Sequence, residues 1–171
     1  MVEHGMYYLK SEFYNVIRSQ GGQWNDSKER PIVCLIKSIE NDNLYWAVPV
    51  GDWDHRDDKA KQRIQSYINR DPKEIASCYY HLGNTNKTSI FFISDAVPLT
   101  DKYIERVYLA KNKRQYVILN KVLLSELQRK LSRILSYENG HPNYFRQHIT
   151  AVKNYLLGEL ASSNNEDSQT E

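Results

Sequence analysis

The chain has little of several things, and each shortage excludes something. It has only two cysteines, Cys34 and Cys78, in 171 residues. Both sit in apolar segments of a chain without an export signal, so they read as reduced core thiols, not as a disulfide or a metal pair. No zinc-ligand spacing occurs. No apolar run approaches the ~18 residues needed to cross a membrane, and the opening MVEHGMYYLK lacks a secretory hydrophobic region. The expectation is a cytoplasmic protein without a membrane partner. There are no internal repeats. Charge of one sign is also in short supply, with 23 Lys and Arg against 21 Asp and Glu. The last eleven residues, ASSNNEDSQTE, carry three of the acids and no base, so residues 1–160 hold 23 basic against 18 acidic side chains.

With 40% hydrophobic residues the chain can bury one core. It reads as a single domain over residues 1–160, followed by an acidic tail at 161–171 with nothing to bury and expected to be disordered. The basic excess is uneven. From Lys102 to Arg114 there are five cations, Lys102, Arg106, Lys111, Lys113 and Arg114, against Glu105 alone. A polyanion is one partner that such a segment fits; a solvated surface is the plain alternative.

The order of elements limits the fold. A strand over residues 6–9 precedes a short helix that Ser11 can cap, with Phe13, Val16 and Ile17 in register and Gly21-Gly22 at its end. PIVCLIKSI (31–39) and LYWAVPV (44–50) form a hairpin around a polar turn. A helix follows at 59–69 with Lys59 and Arg63 on one face, and Asp57 or Asp58 as its cap, Asp58 preferred. Residues 75–82 and 88–93 make a second hairpin, and 97–99 a further strand. Asn120 caps a long helix, and Pro142 starts another containing Phe145, Ile149, Val152, Leu156 and Leu160. The two are expected to pack as a hairpin on the sheet. The class is α+β: a twisted antiparallel sheet with helices.

On such a fold, chemistry sits in loops. Immediately after the second strand, residues 52–59 (DWDHRDDK) place seven ionisable side chains in eight positions and include His55, one of five histidines. Histidine alone titrates unperturbed near neutral pH. His55 could therefore act as general base or acid, with Asp52 or Asp54 to orient or assist it and Arg56, Lys59 or Arg63 as neighbouring cations. The plainer readings stay open: Asp54 and Arg56 as a surface pair, Trp53 as core, and His4, His81, His141 and His148 as structural or exposed. The Asp52, Asp54, Asp57 and Asp58 group could instead serve a Mg²⁺-dependent nuclease, and the cationic stripes a non-catalytic RNA-binding module.

The succession of an aromatic opening strand, a helix, PIVCLIKSI, YWAVPVGDWDHR, KTSIFFISDAVPLTDKYI and two helices resembles the endoribonuclease toxins of type III toxin–antitoxin systems. Among these ToxN, AbiQ and CptN-like toxins it is most similar to the CptN-like branch, over about residues 6–158. The resemblance implies a strongly twisted β-barrel-like sheet of the MazF, Kid and SH3-like kind, decorated with helices and ending in a helical pair. It further implies metal-free RNA cleavage, which needs a base for the 2′-hydroxyl, an acid for the leaving 5′-oxygen and a cation against the phosphorane charge. Under that implication His55 fits the first two roles, Asp52 or Asp54 assists, Arg56, Lys59 or Arg63 supplies the charge, and Tyr8, Trp53, Tyr79 and Tyr80 are candidate stacking platforms for unpaired bases. A repetitive precursor RNA is processed, and its pseudoknots inhibit the toxin in a closed toxin–RNA assembly. The antitoxin is then RNA and not protein, and cellular mRNA is the substrate. No cofactor is implied. Better-known members carry Ser or Thr followed by Lys in the loop after the proline strand; this chain has Gly51-Asp52-Trp53-Asp54-His55-Arg56. The site residues expected are His55, Asp54, Asp52 and Lys59 for catalysis. Tyr8, Trp53, Arg56, Lys61, Arg63, Lys102, Arg106, Lys111, Lys113 and Arg114 are expected to hold RNA.

Overall fold

The computed structural model describes residues 1–25 and 29–167, the last four of these by backbone alone. Seven strands form one open antiparallel sheet: β1 (Met6–Leu9), β2 (Ile32–Lys37), β3 (Tyr45–Asp52), β4 (Tyr80–Asn84), β5 (Thr88–Phe92), β6 (Val97–Leu99) and β7 (Ile104–Val107). Their order is β4-β5-β3-β2-β1-β7, with β6 paired to the first half of β3. Four helices surround it: α1 (Ser11–Ser19), α2 (Asp58–Ile68), α3 (Lys121–Gly140) and α4 (Ile149–Asp167). The expected α+β class, with an antiparallel and barrel-like but unclosed sheet, is what the chain forms.

Side chains alternate along a strand, and here both faces of the central strands are apolar. From β2, Val33 and Leu35 join Met6, Val48 and Phe91 under α3, whose Leu124, Leu127, Leu131 and Ile134 cover them. Ile32 and Cys34 point the other way, to Phe13 and Ile17 of α1 and Val152 and Leu156 of α4. The last two helices therefore cover opposite faces of the sheet and do not pack as the expected hairpin on one face. A third, smaller cluster joins Ile64 of α2 to Ile90 and Phe92 of β5. Cys34 and Cys78 are buried and free, and burial pushes the Cys34 thiol up to about 12.

Several boundaries differ from those read in the sequence. Helix α4 begins at Ile149, not Pro142, because Asn143 and His148 take left-handed backbone conformations (φ 60° and 53°). The buried Gln147 straps the segment between them to the sheet by donating to the Ser94 and Ala96 carbonyls. At its other end the α4 backbone runs on past Leu160 to Asp167, and residues 168–171 lie outside those described. Residues Ile75–Cys78 form a 3-10 turn and β4 starts only at Tyr80. Ser11 is the first residue of α1 and makes no cap bond. Asp57, not Asp58, caps α2, accepting from the Ala60 N–H at 2.7 Å. Asn120 caps α3 as expected.

Candidate functional site

Strand β3 is long enough to serve two partners. Its first half pairs with β6 and its last residues, Val50, Gly51 and Asp52, pair with Phe91, Ile90 and Ser89 of β5. That register brings the 84–88 turn of the β4–β5 hairpin beside the charged loop after β3. Between them lies a cleft of about 460 Å³, lined by Tyr8, Arg30, Asp52, His55, Arg56, Asn86, Lys87 and Tyr108 among others.

Asp52 stands at its centre. Its Oδ2 accepts from Lys87 Nζ at 2.6 Å and lies 3.6 Å from His55 Nε2. Its Oδ1 accepts from the Asp54 N–H at 3.0 Å. The Lys87 hydrogen bond holds the Asp52 carboxyl below its ordinary range, and the same bond raises the Lys87 ammonium. Asp52 is thus fixed as a carboxylate and Lys87 as a cation. The His55 side chain is 83% exposed against 19% for Asp52. The histidine reaches out from a carboxylate that is largely covered. At 3.6 Å the pair is beyond a hydrogen bond, a separation usual for acid–base groups before substrate arrives.

One wall is aromatic and cationic. Arg106 lies over the Tyr8 ring, 4.0 Å from its centroid, and pairs with Glu29 and Glu105. Tyr108 is 5.9 Å from Tyr8, ring to ring, and its hydroxyl accepts from Asn86 Nδ2 at 3.3 Å. Burial, with Tyr108 and Glu29 nearby, raises the Tyr8 phenol, which stays protonated. At the other wall Arg30 and Arg56 both stack on Phe92, at 5.0 and 5.1 Å from its centroid.

Of the residues singled out from the sequence, Asp52, His55, Arg56 and Tyr8 come together here. Asp54 contributes its backbone N–H and leaves its side chain exposed. Trp53 is partly buried against the Ile64, Ile90 and Phe92 cluster, with Lys61 Nζ 5.6 Å from its ring centroid. Lys59, Lys61 and Arg63 lie on α2 and do not line the cleft. Lys102 pairs with Glu159 beside a different depression. Lys111, Lys113 and Arg114 are exposed in the 110–114 turn, which is closed by Ala110 N–H bonding to the Arg114 carbonyl. Tyr116 N–H donates to the Tyr108 carbonyl and so ties that turn to the cleft wall. Tyr79 and Tyr80 pack on Tyr67, Phe145 and Phe92 and do not line the cleft.

Lys87, Arg30, Tyr108 and Asn86 were not anticipated. Lys87 and Asn86 sit in a polar hairpin turn, and the one clue in the sequence was that a β3–β5 pairing would bring that turn to the loop. Elsewhere, burial lowers His81 to about 4, His141 stacks on Tyr137, and His148 Nδ1 lies 3.0 Å from the Gln20 carbonyl. Among the described residues no three His, Cys, Asp or Glu side chains are placed to hold one metal ion. Asp57 is engaged as a cap and Asp52 with Lys87, so the four aspartates of the loop do not converge. No described helix is long and apolar enough to cross a membrane.

No protein-family model and no curated protein matches the sequence. Among solved structures the chain is similar to AbiQ, a lactococcal anti-phage endoribonuclease belonging to the type-III toxin–antitoxin system, at a TM-score of 0.60 and 11% identity over 93% of this chain and 98% of AbiQ. A likeness spanning nearly the full length of both chains at so low an identity is one of backbone architecture: the protein has the AbiQ fold.

Proposed function

We propose that this chain is the toxin of a type III toxin–antitoxin system, a metal-independent endoribonuclease of the ToxN, AbiQ and CptN-like family. The observation that carries the reading is the Asp52, His55 and Lys87 constellation in an open cleft on an AbiQ-like fold. His55 removes the proton from the RNA 2′-hydroxyl. The 2′-oxygen bonds to phosphorus while the P–O5′ bond breaks, leaving a 2′,3′-cyclic phosphate, and the 5′-oxygen takes a proton from solvent in the open cleft. Asp52 stays ionised and orients the imidazole. Lys87 offsets the charge gained by the phosphorane, where a placed cation acts most strongly. Tyr8 and Tyr108 supply flat faces for unpaired bases. Under this reading the inhibitor is a pseudoknotted repeat RNA, matured from its precursor by the toxin and enclosed with it in a ribonucleoprotein assembly in the cytoplasm. The exposed Lys111, Lys113 and Arg114 turn and Arg106 are its electrostatic footing.

The test is product chemistry. Single-stranded RNA incubated with the purified protein in excess EDTA is expected to give fragments ending in a 2′,3′-cyclic phosphate. Strict Mg²⁺ dependence with 3′-hydroxyl ends would favour the aspartate-metal alternative. Salt-sensitive binding without fragments would make the chain a binding module.

A further inference from the structure

Two cations of this cleft share one aromatic ring and form no ion pair among the described residues. Arg30 is half-buried, and Arg56 comes from the loop after β3. Both guanidiniums stack on the single ring of Phe92. Neither makes an ion pair or a side-chain hydrogen bond among the described residues, although acids are near. Asp95 is held by Arg146 through two hydrogen bonds, 3.1 and 2.7 Å, and Glu29 is held by Arg106. Burial first, and then Arg56, lower the Arg30 guanidinium from its ordinary value. Like charges sharing one ring destabilise one another, and Asp95, itself paired with Arg146, only partly offsets this at Arg30, so their juxtaposition needs another reason.

Gly51 shows that the approach is built into the fold. A Cβ at that position would meet Arg56 Nη2 and Phe92 Cε2, each at 2.9 Å. A side chain there would have to displace the Arg56 tip or shift the Phe92 ring. Contact with the Phe92 ring restricts both side chains, which lowers the rotamer freedom to be lost when a ligand arrives. A guanidinium fork fits the oxygens of a phosphate, and a phosphodiester has two non-bridging oxygens to offer.

We infer that Arg30 and Arg56, braced on Phe92, form a phosphate clamp that holds one backbone phosphate of a single-stranded RNA in the cleft. The inference rests on the nuclease reading for its ligand and adds a subsite to it. The clamp binds and positions the strand, while Asp52, His55 and Lys87 do the chemistry.

The test uses the full chain and a single-stranded oligonucleotide carrying 2′-deoxy sugars, which cannot be cleaved, so binding is read apart from catalysis. Arg30→Gln and Arg56→Gln should each weaken binding about tenfold or more, as expected for losing charge-assisted hydrogen bonds. Because both arginines serve one phosphate, the double variant should be little weaker than either single one. The slope of log affinity against log salt should fall by about 0.7, the value for one phosphate on a single strand. Melting temperatures should hold or rise, because like-charge repulsion is relieved. Unchanged affinity in both single variants overturns the clamp. Additive losses with twice the slope change also overturn it, since the arginines would then hold separate phosphates.

Inorganic phosphate, titrated against thermal unfolding, separates this inference from the function beneath it. If the oligonucleotide does not bind but phosphate raises the melting temperature of the wild type and not of the double variant, the RNA reading fails and the anion site stands. If neither ligand has an arginine-dependent effect, the clamp is wrong.

Discussion

Asp52 has both carboxylate oxygens engaged, one by Lys87 and the other by the Asp54 N–H, before any substrate is considered. The bond to Lys87 is what depresses its acidity most. Replacing Lys87 by Met should therefore let Asp52 rise toward the ordinary carboxylate range. The acid limb of the pH–rate profile, where the His55 base becomes protonated, is expected to move to higher pH, because removing the Lys87 cation leaves Asp52 free to stabilise the imidazolium. The maximal cleavage rate should also drop by about 100-fold with the loss of a donor aimed at the transition state. Single-turnover rates across pH measure both; an unmoved acid limb would mean that the Asp52–Lys87 pair does not act on the base. The sign is the same for folding: a depressed carboxylate stabilises above its unfolded value, and that contribution is lost as pH falls through the folded one. Asp52, His55 and Arg56 are legible in the sequence because a run of charges after an apolar strand marks a loop with work to do, and Tyr8 as an aromatic of the opening strand. Lys87 and Arg30 are not, since each lies more than twenty residues from the loop's centre and only strand pairing brings it near.

Helix α2 closes the far side of that loop, and its start is set by one residue. Asp57 accepts from the Ala60 N–H, while Asp58 is the first helical residue and makes no such bond. Asp57→Ala should cost ~1 kcal/mol, or a few degrees in melting temperature, whereas Asp58→Ala should cost less than half of that. Thermal unfolding of the two variants decides it; equal losses would mean that the cap is shared. The hairpin of β2 and β3 was readable because β-branched runs flank a polar turn, and α3 because Asn120 precedes a 3.6-residue apolar period. The start of α4 was misread at Pro142. Phe145 falls in the right period, but two left-handed residues and the buried Gln147 keep that stretch out of the helix. Residues 75–78 misled for the opposite reason. Mostly apolar and continuous with Tyr79–Leu82, they look like the start of a strand, yet Ser77 turns back to the Glu74 carbonyl through both its N–H and its hydroxyl. Strand β7 was hidden inside a segment read only for its charge.

The sheet buries both faces under helices, and this determines where chemistry can occur. With α3 on one side and α1 and α4 on the other, the long strand β3 emerges at its C-terminal end into an opening bounded by the β4–β5 turn, Tyr8 and the residues beyond β7. The sequence pattern points to an antiparallel sheet with helices, but not to helices on both of its faces, because an apolar stripe does not say which face it will cover. The cations divide in the same way: Arg56 and Arg106 reach the cleft and its rim, while Lys102 is tied to Glu159 on α4. The account as a whole stands on one proton-exchanging side chain in that opening, and single-turnover RNA cleavage by His55→Ala, read beside its melting curve, tests it most directly. The account predicts a loss of ~100- to 10,000-fold in rate with the melting temperature unchanged, since the imidazole is 83% exposed. Cleavage near the original rate, or a variant that fails to fold, would contradict it.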